Sequence, residues 1–392
     1  MINSFKTGML LSYICIASLS AAIITPALPH IQLFYGLSKG AVEWVVSIFL
    51  LGYVIGQLIY APIANRYGRL TALRAGLLIN LMGILICMLS PITHNYTLLL
   101  FGRLITALGA ASGLSCTFLL INELLPPDRA KHAMSLSIIS FTVGIGLAVL
   151  IGGLIAQYLQ WQDCFLFLLA HGVLMYGLSF QFPETLKLKK DIHPIMILKN
   201  YAHAFSCFRL IAFSLVVGFV SVFSYCYSAA APIYAQLTLH LSPSQYGYWN
   251  SINMIGMFFG GLLCSRLIKQ YHEKKVLISG FALIFLGLIF LSMITLFDSH
   301  SALLFFIATA YLYLVSGLLF PTASFFALNT IEDRASASAV MSFVNMGSAT
   351  LAVIVMGYLP FSTIDAFLFI LCLLFLVALS GALMQFRKIS VL

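Results

Sequence analysis

The stretch Gln57-Leu-Ile-Tyr-Ala-Pro-Ile-Ala-Asn65-Arg66-Tyr67-Gly68-Arg69-Leu-Thr-Ala-Leu-Arg74 clamps a short basic turn between two long apolar runs. Those runs, residues 42–64 and 71–90, are each long enough to cross a hydrocarbon layer of about 30 Å at about 1.5 Å per residue. Three arginines in the turn assign it to the cytoplasmic side. That single loop sets the expected orientation of the remaining spans.

Composition agrees with this reading. The 392 residues are 61% hydrophobic and only 8% charged, with a mean hydropathy of +1.04, which excludes a soluble globular domain. A net charge of +9 would suit nucleic acid if it formed one patch, but the lysines and arginines fall in short loops between apolar runs. The expected partner is therefore the lipid bilayer, not nucleic acid. The eight cysteines at 15, 87, 116, 164, 207, 226, 264 and 372 include no C-x-x-C pair. Most lie in apolar runs and are read as small core hydrophobes, with no disulfide and no metal site expected. Lys6 precedes an apolar run to Leu28 without an A-x-A end, so an uncleaved first span is expected.

Apolar runs near 9–29, 42–64, 71–90, 97–122, 133–157, 163–182, 208–234, 247–268, 276–297, 302–328, 335–358 and 364–386 predict an all-α membrane protein of twelve transmembrane helices. With the N-terminus inside, 18 of the 20 Lys and Arg residues lie on the cytoplasmic face; Lys39 falls outside and Arg103 within a span. Both termini are thus expected in the cytoplasm, in a multi-pass membrane protein. Pro183-Glu-Thr-Leu-Lys-Leu-Lys-Lys-Asp191 opens a polar linker. The expected division is 1–182, a six-helix bundle; 183–207, a cytoplasmic linker; and 208–392, a second six-helix bundle. Short echoes join the halves. Pro127-Asp128-Arg129-Ala130 returns as Glu332-Asp333-Arg334-Ala335, and Ser112-Gly113 as Ser316-Gly317, as a six-plus-six parallel repeat requires.

Several side chains then stand out. Gly68 permits a tight turn, and Arg66, Arg69 and Arg74 can bond helix-end carbonyls and the acids Glu123 or Asp128, forming with Asn65 a cytoplasmic latch. The alternative is that these arginines only anchor topology. Arg103 is the one Lys or Arg inside a span; it either faces a protein cavity or snorkels to the headgroups. No carboxylate lies near the middle of a span. The titrating candidates that remain are Glu43, Asp163 and His171. Substrate contacts are expected from Tyr53, Gln57 and Tyr60, from Tyr225, Tyr227 and Tyr234, from Trp249, Asn250 and Asn253, and from Asn345. Such a mixed aromatic and amide lining suits amphipathic organic solutes, and interhelical packing is the competing role.

The 57–74 turn resembles the G-x-x-x-D-R-x-G-R-R loop of the major facilitator superfamily through Pro62, Arg66, Gly68 and Arg69, with Ala61 for the Gly and Asn65 for the Asp. Pro26-Ala-Leu-Pro29 ending the first span, Gly52 to Gln57, Gly102-Arg103 with Ala107 to Ala110, and Ala231-Pro232-Ile-Tyr234 narrow the likeness. So do Leu241 to Gly247, Asn250 to Gly256, and Phe320-Pro321. Together they resemble the twelve-span drug:proton antiporters of the bicyclomycin-resistance (Bcr/CflA) type.

That resemblance implies an alternating-access efflux transporter without cofactor, not an enzyme, carrying a small molecule against protons as a monomer. It also implies a proton-relay role for Arg103. Two features of the type are replaced: its first-span acid is Ala22 here, and the Gly-Pro pair of its fifth span is Ala148-Val149. A second reading therefore stays open, a specific exporter or importer of a metabolite or siderophore whose carboxylate meets Arg103, with atypical or absent proton antiport. A sensor without transport is a third. No G-x-x-x-x-G-K-[ST] or H-E-x-x-H occurs, which disfavours an ATP-driven pump and an intramembrane enzyme.

Overall fold

The computed structural model describes residues 4–186, 194–297 and 300–389. Among the described residues every regular element is helical. The first span is broken into α1 (Ser4–Ser12), α2 (Cys15–Ala22), a 3-10 turn (Thr25–Ala27) and α3 (Leu28–Tyr35). Pro26 and Pro29 each lack a backbone N–H and interrupt the ladder. The chain nevertheless stays helical to Tyr35, where Gly36 at φ 63° closes α3. The span thus runs past the Pro26–Pro29 segment that the sequence marks as its end.

There follow α4 (Lys39–Tyr67), α5 (Arg69–Ile92), α6 (Tyr96–Leu124), α7 (Pro127–Tyr158), α8 (Asp163–Leu178), α9 (Pro194–Ser206) and α10 (Phe208–Leu237). The remainder forms α11 (Pro243–Gln270), α12 (Glu273–Leu296), α13 (Ala302–Leu328), α14 (Arg334–Tyr358) and α15 (Thr363–Ile389). Among the described residues eleven stretches are long and apolar enough to cross a membrane, and the apolar Val143–Tyr158 part of α7 is a shorter one. The helix α9 lies inside the stretch read from sequence as linker. Of that stretch, Lys187, Lys189, Lys190 and Asp191 lie outside the described residues. Starts coincide with short polar residues: Ser38, Asn95, Ser301 and Asp333 accept backbone N–H groups from Ala41, Leu98, Leu304 and Ser336.

The chain divides into two compact units, Met1–Ile192 with Ser242–Gly247, and His193–Leu241 with Tyr248–Leu392. Each is packed through glycine. In the first unit a Cβ on Gly52 or Gly56 of α4 would strike α6 at Leu104 or Ala111, and one on Gly76 or Gly83 of α5 would strike Ser112 or Thr106. In the second, Gly256 and Gly260 of α11 meet Ala310 and Leu314 of α13, and Gly280 and Gly287 of α12 meet Leu319 and Leu312. Helices approach this closely only where side chains are missing. The two sets are the same set: Gly52, Gly56, Gly76 and Gly83 each recur as Gly 204 residues later, at 256, 260, 280 and 287. One packing scheme is written twice.

Candidate transport site

The basic turn builds a polar cluster in the first unit. Gly68 sits at φ 120° and ψ 149°, a conformation that a side chain disfavours, and α5 starts on the next residue with its first N–H groups unpaired. Glu184 supplies their acceptor. Its carboxylate takes the N–H of Arg69 at 2.8 Å, of Leu70 at 3.0 Å and of Thr71 at 3.4 Å. Burial alone would raise the Glu184 pKa, but the N–H groups of Leu186, Arg69, Thr185 and Thr71 outweigh it and hold it below the ordinary glutamate value.

Arg69 completes the cluster. Its guanidinium donates to Glu123 from Nη2 at 2.8 Å and from Nε at 3.1 Å, and to the Ala64 carbonyl at 2.7 Å. The Thr185 hydroxyl donates to the same Glu123. Arg74 instead bonds the Ser179 carbonyl at 3.1 Å and lies 4.4 Å above the Phe180 ring. The structure therefore joins Gly68, Arg69 and Glu123 as the sequence predicts and gives Arg74 a helix-end carbonyl. Asn65 and Arg66 are both half-buried in the last turn of α4. Asp128 falls in the first turn of α7, but its side chain is outside the described set. Glu184, Thr185 and Ser179 were not singled out in the sequence. The available signal was the acid in Pro183-Glu184-Thr185, directly after the sixth span.

Deeper in the first unit, Arg103 of α6 is 0% exposed. It donates from Nη1 to the Ser20 carbonyl of α2 at 2.6 Å and from Nε to the Val45 carbonyl of α4 at 3.2 Å, over the Phe49 ring at 4.4 Å. Its remaining nitrogen, Nη2, is buried with no hydrogen-bond partner. This is a protein-facing arginine and not a snorkelling one. Glu43, on the first turns of α4, is 1% exposed, and neither carboxylate oxygen has a hydrogen-bond partner. Asp163, by contrast, accepts the Gln160 N–H at 3.0 Å at the start of α8, and His171 lies half-buried further along that helix. Tyr53 and Tyr60 are buried on α4, with the half-buried Gln57 in hydrogen-bonding reach of Tyr53.

The second unit carries an amide and aromatic network of its own. The Tyr227 hydroxyl donates to Asn250 Oδ1 at 3.0 Å and accepts from Asn253 Nδ2 at 2.6 Å. Asn253 Nδ2 also reaches Asn250 Oδ1 at 3.1 Å, and Asn253 Oδ1 accepts from the Thr309 hydroxyl at 2.9 Å. Tyr313 and Phe305 flank the Tyr227 ring at 5.6 and 6.2 Å. Tyr234 is buried beside Phe305, Trp249 stacks on Phe306 at 5.6 Å, and Tyr225 is half-buried. Tyr227, Asn250 and Asn253 thus spend their groups on one another and do not stand as three separate contacts. Asn345 of α14 differs: it is buried and its Oδ1 has no partner. Thr309 and Tyr313 gave no sequence signal, because a threonine and a tyrosine in an apolar run look like packing.

The sequence profile of the Major Facilitator Superfamily matches residues 10–348 and again 213–389. The chain belongs to the major facilitator superfamily. This superfamily member is 26% identical over 272 residues to multidrug resistance protein D of Escherichia coli (strain K12), covering 67% of this chain and 66% of that protein. It is 23% identical over 265 residues to a bicyclomycin resistance protein homolog of Haemophilus influenzae, again 67% of this chain and 66% of the relative. Its fold is similar to the crystal structure of a D-xylose-proton symporter, with a TM-score of 0.78 over 97% of both chains at 13% identity. The superfamily member is accordingly a multi-pass membrane transporter and not an enzyme, as its resemblance to the drug-resistance type implied.

Proposed function

We propose that this transporter exports drug-like amphipathic molecules by alternating access and that protons drive it. One observation carries the coupling: Glu43 is an ionisable group almost wholly enclosed in a span, with no donor on either oxygen. A carboxylate left there unpaired costs several kcal/mol (an order-of-magnitude figure). A proton neutralises it at no such cost. In this reading Glu43 replaces the first-span acid that Ala22 lacks, and Arg103 tunes the cavity. The substrate class rests on the aromatic and amide groups of the second unit, with Asn345 as the polar contact, and on the drug-resistance relatives. The cytoplasmic cluster of Gly68, Arg69, Glu123 and Glu184 serves as the latch. The expected location is the bacterial inner membrane.

The test is transport by the purified protein in liposomes under an imposed pH gradient, against lipophilic cations, neutral antibiotics and polycarboxylates. Gradient-driven movement of an amphipathic cation or neutral drug is expected. Glu43→Gln should abolish net gradient-driven transport yet keep solute exchange. Undiminished gradient-driven transport in that variant would remove Glu43 from the mechanism. A second reading, a carrier of carboxylate-bearing metabolites or siderophores, is favoured by the unpartnered Nη2 of Arg103. Transport of polycarboxylates alone, lost in Arg103→Gln, would select it.

A further inference from the structure

The helix α9 has no place in the transport reading, yet its surface is unusual. Ile195, Leu198, Ala202 and Phe205 recur at spacings of three, four and three residues and so share one face. All are exposed, Ile195 by 73%, Leu198 by 69% and Phe205 by 41%. The helix packs on α14 along the adjoining side, where Ala204 is buried, and Phe205, at the edge of the open face, meets the Phe343 ring edge-on at 5.6 Å. The open apolar face is therefore bounded by protein on one flank.

On the other flank stands Lys199, exposed and one residue beyond Leu198. At Cys207 the chain turns extended, with φ −80° and ψ 98°, before α10 begins. The first two residues of α10 repeat the pattern: Phe208 is 55% exposed, and Arg209 is half-buried with Nε lacking any acceptor. No acidic residue occurs from 194 to 209. The 30 residues of α10 span about 45 Å, against a hydrocarbon layer of about 30 Å, so its first turns and α9 stand at headgroup depth.

We propose that α9 lies on an anionic phospholipid surface, with Ile195, Leu198, Phe205 and Phe208 against acyl chains and Lys199 and Arg209 at the phosphates. An apolar stripe continuous with a span, edged by cations and carrying no acid of its own, with Asp333 at the N-cap of α14 facing Tyr201 beside it, fits that occupant. A long lysine stem beside the stripe can bury its methylenes while its ammonium reaches the headgroup.

The test uses the full-length protein in vesicles of phosphatidylcholine, with or without phosphatidylglycerol, one lipid being brominated in each preparation. After subtraction of the parent signal, the indole introduced by Leu198→Trp should lose at least about half its fluorescence to brominated phosphatidylglycerol and clearly less to brominated phosphatidylcholine. The indole of Asn200→Trp, on a different face, should be quenched less by both. Lys199→Gln, or salt at about 0.5 M, should erase the preference for the anionic lipid, since screening shortens the reach of surface charge. Ile195→Trp repeats the measurement on the same face should one variant fold poorly. Equal quenching at 198 and 200, or by the two lipids, overturns the proposal. So does an indole at 198 shielded from both lipids by this chain or a second copy.

Discussion

Arg103 shows how a single buried charge is tolerated. Its guanidinium has no carboxylate at hand among the described hydrogen bonds; backbone carbonyls of Ser20 and Val45 and the face of Phe49 hold it. Carbonyl dipoles and a ring quadrupole offset part of the desolvation of a planar, delocalised cation better than they would for an ammonium. Arg103→Ala should therefore lower unfolding stability by about 3 kcal/mol, because two carbonyls lose their donors and a cavity opens. Arg103→Lys should recover less than half of that. Thermal unfolding in detergent measures both. Asn253 is the corresponding residue of the second unit, since one side chain serves Tyr227, Asn250 and Thr309. Asn253→Ala should cost about 2–3 kcal/mol by leaving buried partners unsatisfied, and a stability loss below about 0.5 kcal/mol would contradict the network.

At the scale of an element, the start of α5 is decided by two residues from distant parts of the chain. Gly68 adopts φ 120°, and an added Cβ would lie 2.5 Å from Glu184 Oε2. Gly68→Ala should destabilise the protein by about 1–3 kcal/mol through strain and displacement of that cap. Glu184 sits on an exposed loop, so Glu184→Gln should cost only about 1 kcal/mol at neutral pH. The pH dependence has a definite sign. The folded pKa of Glu184 is depressed, so its contribution is complete above the unfolded glutamate value and disappears as pH falls through the folded one. The gap in melting temperature between parent and Glu184→Gln should thus be constant near neutrality and close in acid. A gap that widened on acidification would reverse the assignment.

For the whole molecule, the expected arrangement is two repeats with both chain ends in the cytoplasm. The recurrence of four glycines at a spacing of 204 residues supports the repeat, because each of them marks a helix crossing that both units make. Adding a methyl at Gly56 and at its counterpart Gly260 should therefore harm the two units alike, each Gly→Ala lowering stability by about 1–3 kcal/mol through overpacking. Reporter fusions at residues 1 and 392 test the orientation. Two active cytoplasmic reporters are expected, and opposite sidedness would break the topology.

The number and order of spans, the family and the importance of the Gly68 turn were all legible in the chain, because each depends on apolar length, charge placement or local turn chemistry. Gly52 and Gly256 could be read as close-approach sites for the same local reason. Which acid caps α5 could not: Glu184 lies more than a hundred residues beyond Gly68 and becomes its neighbour only when α8 ends beside α5. Nor could sequence separate Glu43, Asp163 and His171. Glu43 is the one of the three that is enclosed with no hydrogen-bond partner on either oxygen, and enclosure is a property of the neighbouring helices. In the same way Tyr227, Asn250 and Asn253 looked like three contact groups until packing turned them toward one another. Hydrophobic length is written along a chain, whereas the pairing of polar groups is settled by which helices come to lie side by side.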